Sequence, residues 1–290
     1  MDPLVSIVVP CYKGERYLAE AIESCLNQSH HHLEVIVVDD ASPDRCAEIA
    51  ETYARADFRV KVVRCAVNGG VSRAFNAGFR VAKGRYLTRL AQDDLFDQTA
   101  IEALVRFLEE HPDIGLAYAD LRNVTEELQY IDDMIAPEPS DVLRYGNRVG
   151  LCVMWRDEVW RTVGEFDPAF DTVDDYEYWT RVAARFKLGK CGGGPLMSFR
   201  VHSEMGSKVF SIKQEILAAE LLARHVPSRR EAAVVLERGY YNAAYNSMLE
   251  GKSKDSLRYL WRATFCWPLD IRLYKLYGKL LFLAVRGRKI

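Results

Sequence analysis

The chain lacks most of the features that assign a protein quickly. Its 290 residues carry a formal net charge of -2, so no global basic field points to nucleic acid. It has 7 cysteines, an odd number, and no C-x-x-C spacing. That argues against a disulfide framework or a zinc site and fits a reducing, cytoplasmic setting. No apolar stretch reaches the roughly 18 residues that suggest a membrane span. The opening "MDPLVSIVVPCYKG" has no basic n-region, and its apolar run is too short for a signal peptide. G-x-G-x-x-G, G-x-x-x-x-G-K-[ST] and G-x-S-x-G are all missing, which removes the Rossmann fingerprint, the P-loop and the serine-hydrolase elbow.

What is present is an alternation of two periods. A continuous β-branched run at 4–10 reads as a strand buried on both faces, 33–40 as a second buried strand, and 59–65, 85–91 and 114–120 as further strands. Between them, 15–28, 42–55, 71–84 and 98–112 have helical spacing. Ser42 reads as an N-cap with Pro43 at the first helical position, Gly84 as a helix stop, and Pro112 as another. The pattern predicts an α/β fold with a mostly parallel sheet flanked by helices. Residues 121–150 read as an irregular excursion over the active face, 151–170 as strand then helix, 173–186 as an amphipathic helix, and 190–202 as loop then strand. From about 211 the chain reads as wholly helical, giving expected domains of 1–210 and 211–290.

Ligands of an open parallel sheet bind beyond the carboxyl ends of its strands. Four polar clusters fall there: "PCYKGE", "VVDDAS", "AVNGGVSRAFNAG" and "AQDD". Any one could be a solvated turn, but four on one edge point to a site. Its chemistry is rich in carboxylates and poor in bases. Paired carboxylates hold Mg²⁺ or Mn²⁺, and such ions bridge phosphates, so a nucleoside diphosphate is the natural ligand. Asp174 and Asp175 open a helix, where the dipole favours anions; capping and catalysis both fit that position. A run of histidines, His30 to His32, reads as solvated.

The segments "VSIVVPCYKGERYLAEAIESCLNQ", "LEVIVVDDASPD", "NGGVSRAFNAGFRVAKGRYLTRLAQDD" and "DDYEYWTRVA" occur in that order. Together they resemble the family 2 glycosyltransferases, inverting nucleotide-sugar enzymes of the GT-A fold, over roughly residues 4–205. The resemblance implies that Pro10, Tyr12 and Glu15 line the base and ribose pocket. Asp40 would accept a hydrogen bond from the base, and Arg73 would approach base or phosphates. Asp93 and Asp94 match the D-x-D region, one on the ribose and one on the metal, with Asp94 favoured as metal ligand and His202 a third candidate. Many members carry one more acid here, where this chain has Ala91 and Gln92. The implied catalytic base is Asp175, with Asp174 as fallback, ahead of Trp179 and Arg181. Trp155 and Arg156 fall in an acceptor-side segment, while Trp160 and Phe166 read as core.

The resemblance implies a UDP-sugar donor, Mn²⁺ or Mg²⁺, and a glycan or lipid-linked acceptor, as in bacterial surface polysaccharide assembly. A nucleotidyltransferase of related fold and a silent nucleotide-sugar-binding module are the other readings. The last segment, 271–290, mixes Leu, Phe, Tyr and Val with Lys and Arg and has no acid. It suits peripheral contact with the inner face of the cell membrane, a packed bundle helix, or a homodimer interface.

Overall fold

The computed structural model describes residues 2–139, 147–205, 211–224 and 228–285. It divides into two compact units, one of residues 1–143 and 147–203 and the other of 144–146 and 204–290.

The first unit begins with β1 (Val5–Cys11), α1 (Leu18–Leu26), β2 (Leu33–Asp39), α2 (Cys46–Ala56) and β3 (Val60–Arg64). Next come α3 (Val71–Val81), β4 (Tyr86–Arg89), β5 (Leu95–Phe96), α4 (Ala100–Glu110), β6 (Ile114–Ala119), β7 (Leu121–Val124) and β8 (Tyr130–Met134). It closes with β9 (Val153–Arg156), α5 (Asp157–Val163), a 3-10 turn at Pro168–Phe170, α6 (Asp174–Ala183), β10 (Lys187–Cys191) and β11 (Met197–Arg200). Seven strands form the main sheet in the order β10-β6-β9-β4-β1-β2-β3. All pair in parallel except β9, which is antiparallel to both neighbours.

Alternation along the strands sends side chains to two separate cores. Val5, Ile7, Val9, Val35 and Val37 pack with residues of α1, α2 and α4. Val8, Ile36 and Val38 pack with residues of α3, α5 and α6. Because α1 and α2 cover one face and α3 the other, the winding direction changes between β1 and β4. That switch point is where an open α/β sheet leaves a crevice. The β4 ladder on β1 runs only from Val5↔Tyr86 to Val8↔Arg89. Pro10 lies beyond it, so its missing N–H removes no bond on that side.

Several expectations shift. Helix α2 starts at Cys46 with Arg45 at its cap, not at Ser42. Ser42 instead accepts the Lys13 N–H through Oγ at 2.8 Å. Helix α3 ends at Val81 with Ala82 as cap. Gly84 therefore does not stop it; its N–H donates to Ser6 Oγ at 2.8 Å, in a space where a Cβ would collide with backbone. The 121–150 excursion is partly ordered, since β7 and β8 join β5 and β11 in a second sheet of order β5-β11-β7-β8. Residues 140–146 of that stretch lie outside the described residues. Residues 190–191 belong to β10 rather than a loop. His30 is buried, its Nε2 2.9 Å from the Pro3 carbonyl, so the histidine run is not uniformly solvated.

The second unit contains α7 (Ser211–Ala223), α8 (Arg229–Leu249), α9 (Ser253–Cys266) and α10 (Ile271–Val285). Its core gathers Ala244, Met248, Leu260, Ala263, Leu273, Leu276 and Leu280. Within 271–285, the expectation of a packed helix is met: the Leu273, Leu276 and Leu280 face is spent inside this core. Residues 286–290 lie outside the described residues.

Candidate active site

The carboxyl edge of the main sheet is laced together by side chains that satisfy loop backbone. Lys13 and Ala41 take left-handed backbone, with φ of 54° and 53°, and bend the chain sharply after β1 and β2. Lys13 N–H donates to Ser42 Oγ, Gly14 N–H to Cys46 Sγ, and Glu15 N–H to Asp44 Oδ2. In return the Arg45 N–H donates to Glu15 Oε2 at 3.0 Å. Burial alone would raise the Asp44 carboxyl, but bonds from Ser42, Glu15 and Cys46 bring it down to about 2.

Asp40 is 3% exposed, and its two oxygens accept the Gly69 and Gly70 N–H groups, both at 2.9 Å. It therefore fixes the loop that leads into α3. Arg73, in the first turn of α3, is exposed and donates to the Gly69 carbonyl. Tyr12 is 39% exposed at the mouth of the crevice. Pro10, Tyr12, Glu15, Asp40 and Arg73 thus lie on the β1, β2 and β3 tips, joined by the bonds above.

Gln92 completes the lacing at the switch point. Its Oε1 accepts the Tyr12 N–H at 2.8 Å and its Nε2 donates to the Tyr12 carbonyl at 3.1 Å. A carboxylate could accept but not donate, so an amide is the group this pairing requires. Its side chain also fills the space that a Cβ on Gly14 would need.

Beyond Gln92, the two acids part company. Asp94 is fully buried; its Oδ1 accepts the Arg200 N–H at 3.0 Å and its Oδ2 has no hydrogen-bond partner among the described residues. Burial, and then the neighbouring Asp93 charge, push its carboxyl well above the ordinary range. Asp93 keeps some exposure, and its Oδ2 lies 2.9 Å from His202 Nε2. The Tyr17 ring lies 5.1 Å from the His202 ring and under the Arg200 guanidinium at 4.6 Å. Arg200 also donates to the Asp93 and Glu126 carbonyls and to Glu20, tying β11 to the β4 tip, the β7–β8 hairpin and α1.

Among the described residues, no group of three or more His, Cys, Asp or Glu is arranged to hold a metal. The Asp94 Oδ2, the Asp93 carboxylate and the His202 imidazole are donor types that Mg²⁺ or Mn²⁺ accepts, but they do not form one three-ligand arrangement here. The geometry does not support the expected preference for Asp94 over Asp93. Asp94 points inward and anchors β11, whereas Asp93 faces the opening.

The second acid pair divides in the same way. Asp174 is buried against Arg89, whose Nη1 donates to Oδ2 at 2.7 Å, with both side chains 9% exposed. Arg89 also stacks over Phe75 at 4.1 Å. Burial raises the Asp174 carboxyl to about 6; Arg89 works against that rise. Asp174 is thus an anchor between β4 and α6, which removes it as fallback base. Asp175 is half-buried and accepts from Asn147 Nδ2 at 2.6 Å and from the Tyr176 N–H at 2.7 Å. Glu177 is held by Arg181, at 2.7 Å. Asp171 accepts the Ser72 N–H at 2.8 Å, bringing the chain before α6 onto the start of α3.

The acceptor-side expectation is corrected. Trp155 is fully buried among Phe79, Tyr178 and Trp179. Arg156 donates to the carbonyls of Leu108, His111 and Ile114. Since β9 is antiparallel, Arg156 pairs with Tyr86 at the amino end of β4, the edge away from the site. Phe166 is core as expected, with Trp160 packed against it. Sequence reading missed Arg89, Gln92, Asn147, Asp171 and Arg200 as site-building residues. For Arg89 a signal existed, because a cation inside the apolar "YLTRLA" implies a buried acid partner.

The sequence model of glycosyl transferase family 2 matches residues 6–142. An uncharacterized glycosyltransferase of Haemophilus influenzae is 28% identical over 240 residues, covering 77% of this chain and 73% of that protein. The chain spans 20%, 36% and 32% of the length of three other curated relatives it matches. The fold is similar to that of S. aureus TarS 1–349 in complex with UDP-GlcNAc, with a TM-score of 0.68 at 16% identity, covering 94% of this chain and 83% of that one. It is also similar to the mannosyltransferase PcManGT from Pyrobaculum calidifontis in complex with GDP-Man and Mn²⁺, with a TM-score of 0.60 at 18% identity, covering 98% and 81%. The architecture is therefore that of the GT-A glycosyltransferases.

Two outcomes check this construction. Arg89→Met leaves the Asp174 charge buried and unpaired, and should cost about 3 kcal/mol of unfolding free energy at pH 8. The deficit should shrink at pH 5, because without Arg89 the folded state gains most from protonating Asp174. Gln92→Glu removes the donor to the Tyr12 carbonyl and should speed amide hydrogen exchange across residues 12–15 by about fivefold. Unchanged exchange would mean that Gln92 does not hold the loop.

Proposed function

We propose, from the match of residues 6–142 to the glycosyl transferase family 2 model, that the chain moves a sugar from a UDP-sugar to a hydroxyl of a glycan or lipid-linked acceptor, with inversion at the anomeric carbon. The observation that carries the reading is the split of its two acid pairs around the β4 tip. Asp94 and Asp174 are buried as anchors, while Asp93 and Asp175 keep open faces on the same edge. The S. aureus and Pyrobaculum neighbours, bound to UDP-GlcNAc and to GDP-Man with Mn²⁺, support a nucleotide-sugar donor and a divalent ion.

In this reading the base and ribose lie against Pro10, Tyr12 and Glu15, in loops already fixed by Ser42, Asp44 and Gln92. Asp40 acts by holding Gly69 and Gly70 as well as by facing the base. Arg73 is exposed, and by leaving the Gly69 carbonyl it can reach phosphate oxygens. Asp93 and His202 would hold the Mn²⁺ or Mg²⁺, with Asp94 as a further carboxylate donor. The ion supplies positive charge that stabilises a leaving diphosphate.

Asp175 takes the acceptor proton. Among the described residues each of its oxygens accepts one hydrogen bond, and Asn147 orients the group. As the proton moves to the carboxylate, the acceptor oxygen attacks the anomeric carbon from the side opposite the diphosphate. The intact, accessible Asp175 favours catalysis over a silent binding module. Polysaccharide assembly is the setting that this donor and acceptor chemistry suits.

The split of roles gives a direct test. Asp175→Asn should lower kcat by roughly 10²–10⁴-fold while UDP-sugar affinity stays within about twofold. Transfer at the normal rate in that variant would place the base elsewhere.

A further inference from the structure

We propose that the outward face of α9 docks on an anionic membrane surface. Leu257, Trp261 and Phe265 recur every four residues and so share one face of the helix. They are 47%, 66% and 81% exposed, and the Trp261 and Phe265 rings stack at 6.0 Å. The opposite face, with Ser256, Leu260 and Ala263, is buried in the core of the helical unit. The outer face is therefore not surplus core; the helix is apolar on both sides. Single exposed apolar residues are ordinary, but a repeated aromatic stripe is not. Leu269 and Ile271, 82% and 67% exposed, extend it through the turn into α10.

Charge selects the partner. Lys254 and Arg258 are exposed and, each three residues before Leu257 and Trp261 respectively, are interleaved with the stripe. Asp255, on the flank, is the acid of that helix. Asp270, in the following turn, is paired with Arg272. A second copy of the same face would bring only more of the same cations, Lys254 and Arg258, into one isologous contact. A purely apolar partner gives the cations nothing to meet. An anionic lipid surface satisfies both, since tryptophan and phenylalanine enter the interfacial layer while lysine and arginine meet headgroups. No helix among the described residues is long and apolar enough to cross a membrane, so the contact would be peripheral. It would also fall on a different surface from that expected for 271–290. The apolar face of α10 is already committed to the core, leaving the outward stripe of α9 available.

The test is sedimentation of the full chain with vesicles of phosphatidylcholine alone or enriched in phosphatidylglycerol, with size-exclusion chromatography alongside. The chain should pellet with the phosphatidylglycerol vesicles and be released by salt. Trp261→Glu with Phe265→Glu should weaken partitioning roughly tenfold or more. Lys254→Ala and Arg258→Ala should each weaken it about fivefold. Because all four side chains are on the surface, thermal unfolding and UDP binding should stay at wild-type values. Equal pelleting of the wild type and the Trp261→Glu, Phe265→Glu variant would overturn the proposal. So would binding independent of phosphatidylglycerol, or a wild-type dimer that the variant converts to monomer.

Discussion

The structure depends on one constraint: the loops beyond a parallel sheet end in backbone groups that must be hydrogen-bonded somewhere. Here those partners come from side chains of the neighbouring tip. Ser42 and Asp44 serve the β1 loop, Glu15 serves the start of α2, Asp40 serves the loop after β3, and Gln92 serves Tyr12. Each bond is worth only about 1 kcal/mol net, yet together they fix four loops relative to one another. A pocket made of loops acquires in this way the positional definition of the sheet beneath it.

The adjacent acids follow from the same constraint. Two neighbouring carboxylates cannot easily share one polar environment, because their charges repel. At 93–94 and at 174–175 the chain directs one inward to a fixed partner, Arg200 or Arg89, and leaves the other at the opening. The inward acid holds the β4 tip in place, and the outward acid keeps partial exposure. Removing Arg89, the buried last residue of β4, should therefore disturb this edge.

Much of this was legible in the sequence. Continuous β-branched runs marked the strands because both sheet faces are covered, and their polar ends marked the edge that forms the site. The resemblance to family 2 pointed to both acid pairs, with Asp94 and Asp175 preferred, and to His202; the structure sets Asp93 beside His202 and Asp175 beside Asn147. What escaped were matters of direction and pairing. Strand β9 is short and apolar, and nothing in "VMWR" says that it runs antiparallel; that is why Arg156 was placed on the wrong edge and Trp155 at an acceptor. Which acid of each pair turns inward depends on Arg200 and Arg89, partners 106 and 85 residues distant. Ser42 looked like a helix cap because serine is suited to accept backbone N–H groups; it does accept one, but from Lys13 across the crevice.

The central claim is that the open carboxylate of the 93–94 pair, with His202, joins a divalent ion to a nucleoside diphosphate at the β4 tip. Isothermal titration of UDP in Mn²⁺ and in EDTA tests it most directly. The account requires a single UDP site that depends on Mn²⁺ and is lost in both Asp93→Ala and His202→Ala. UDP binding of equal strength in EDTA, or in the Asp93→Ala variant with Mn²⁺, would contradict it.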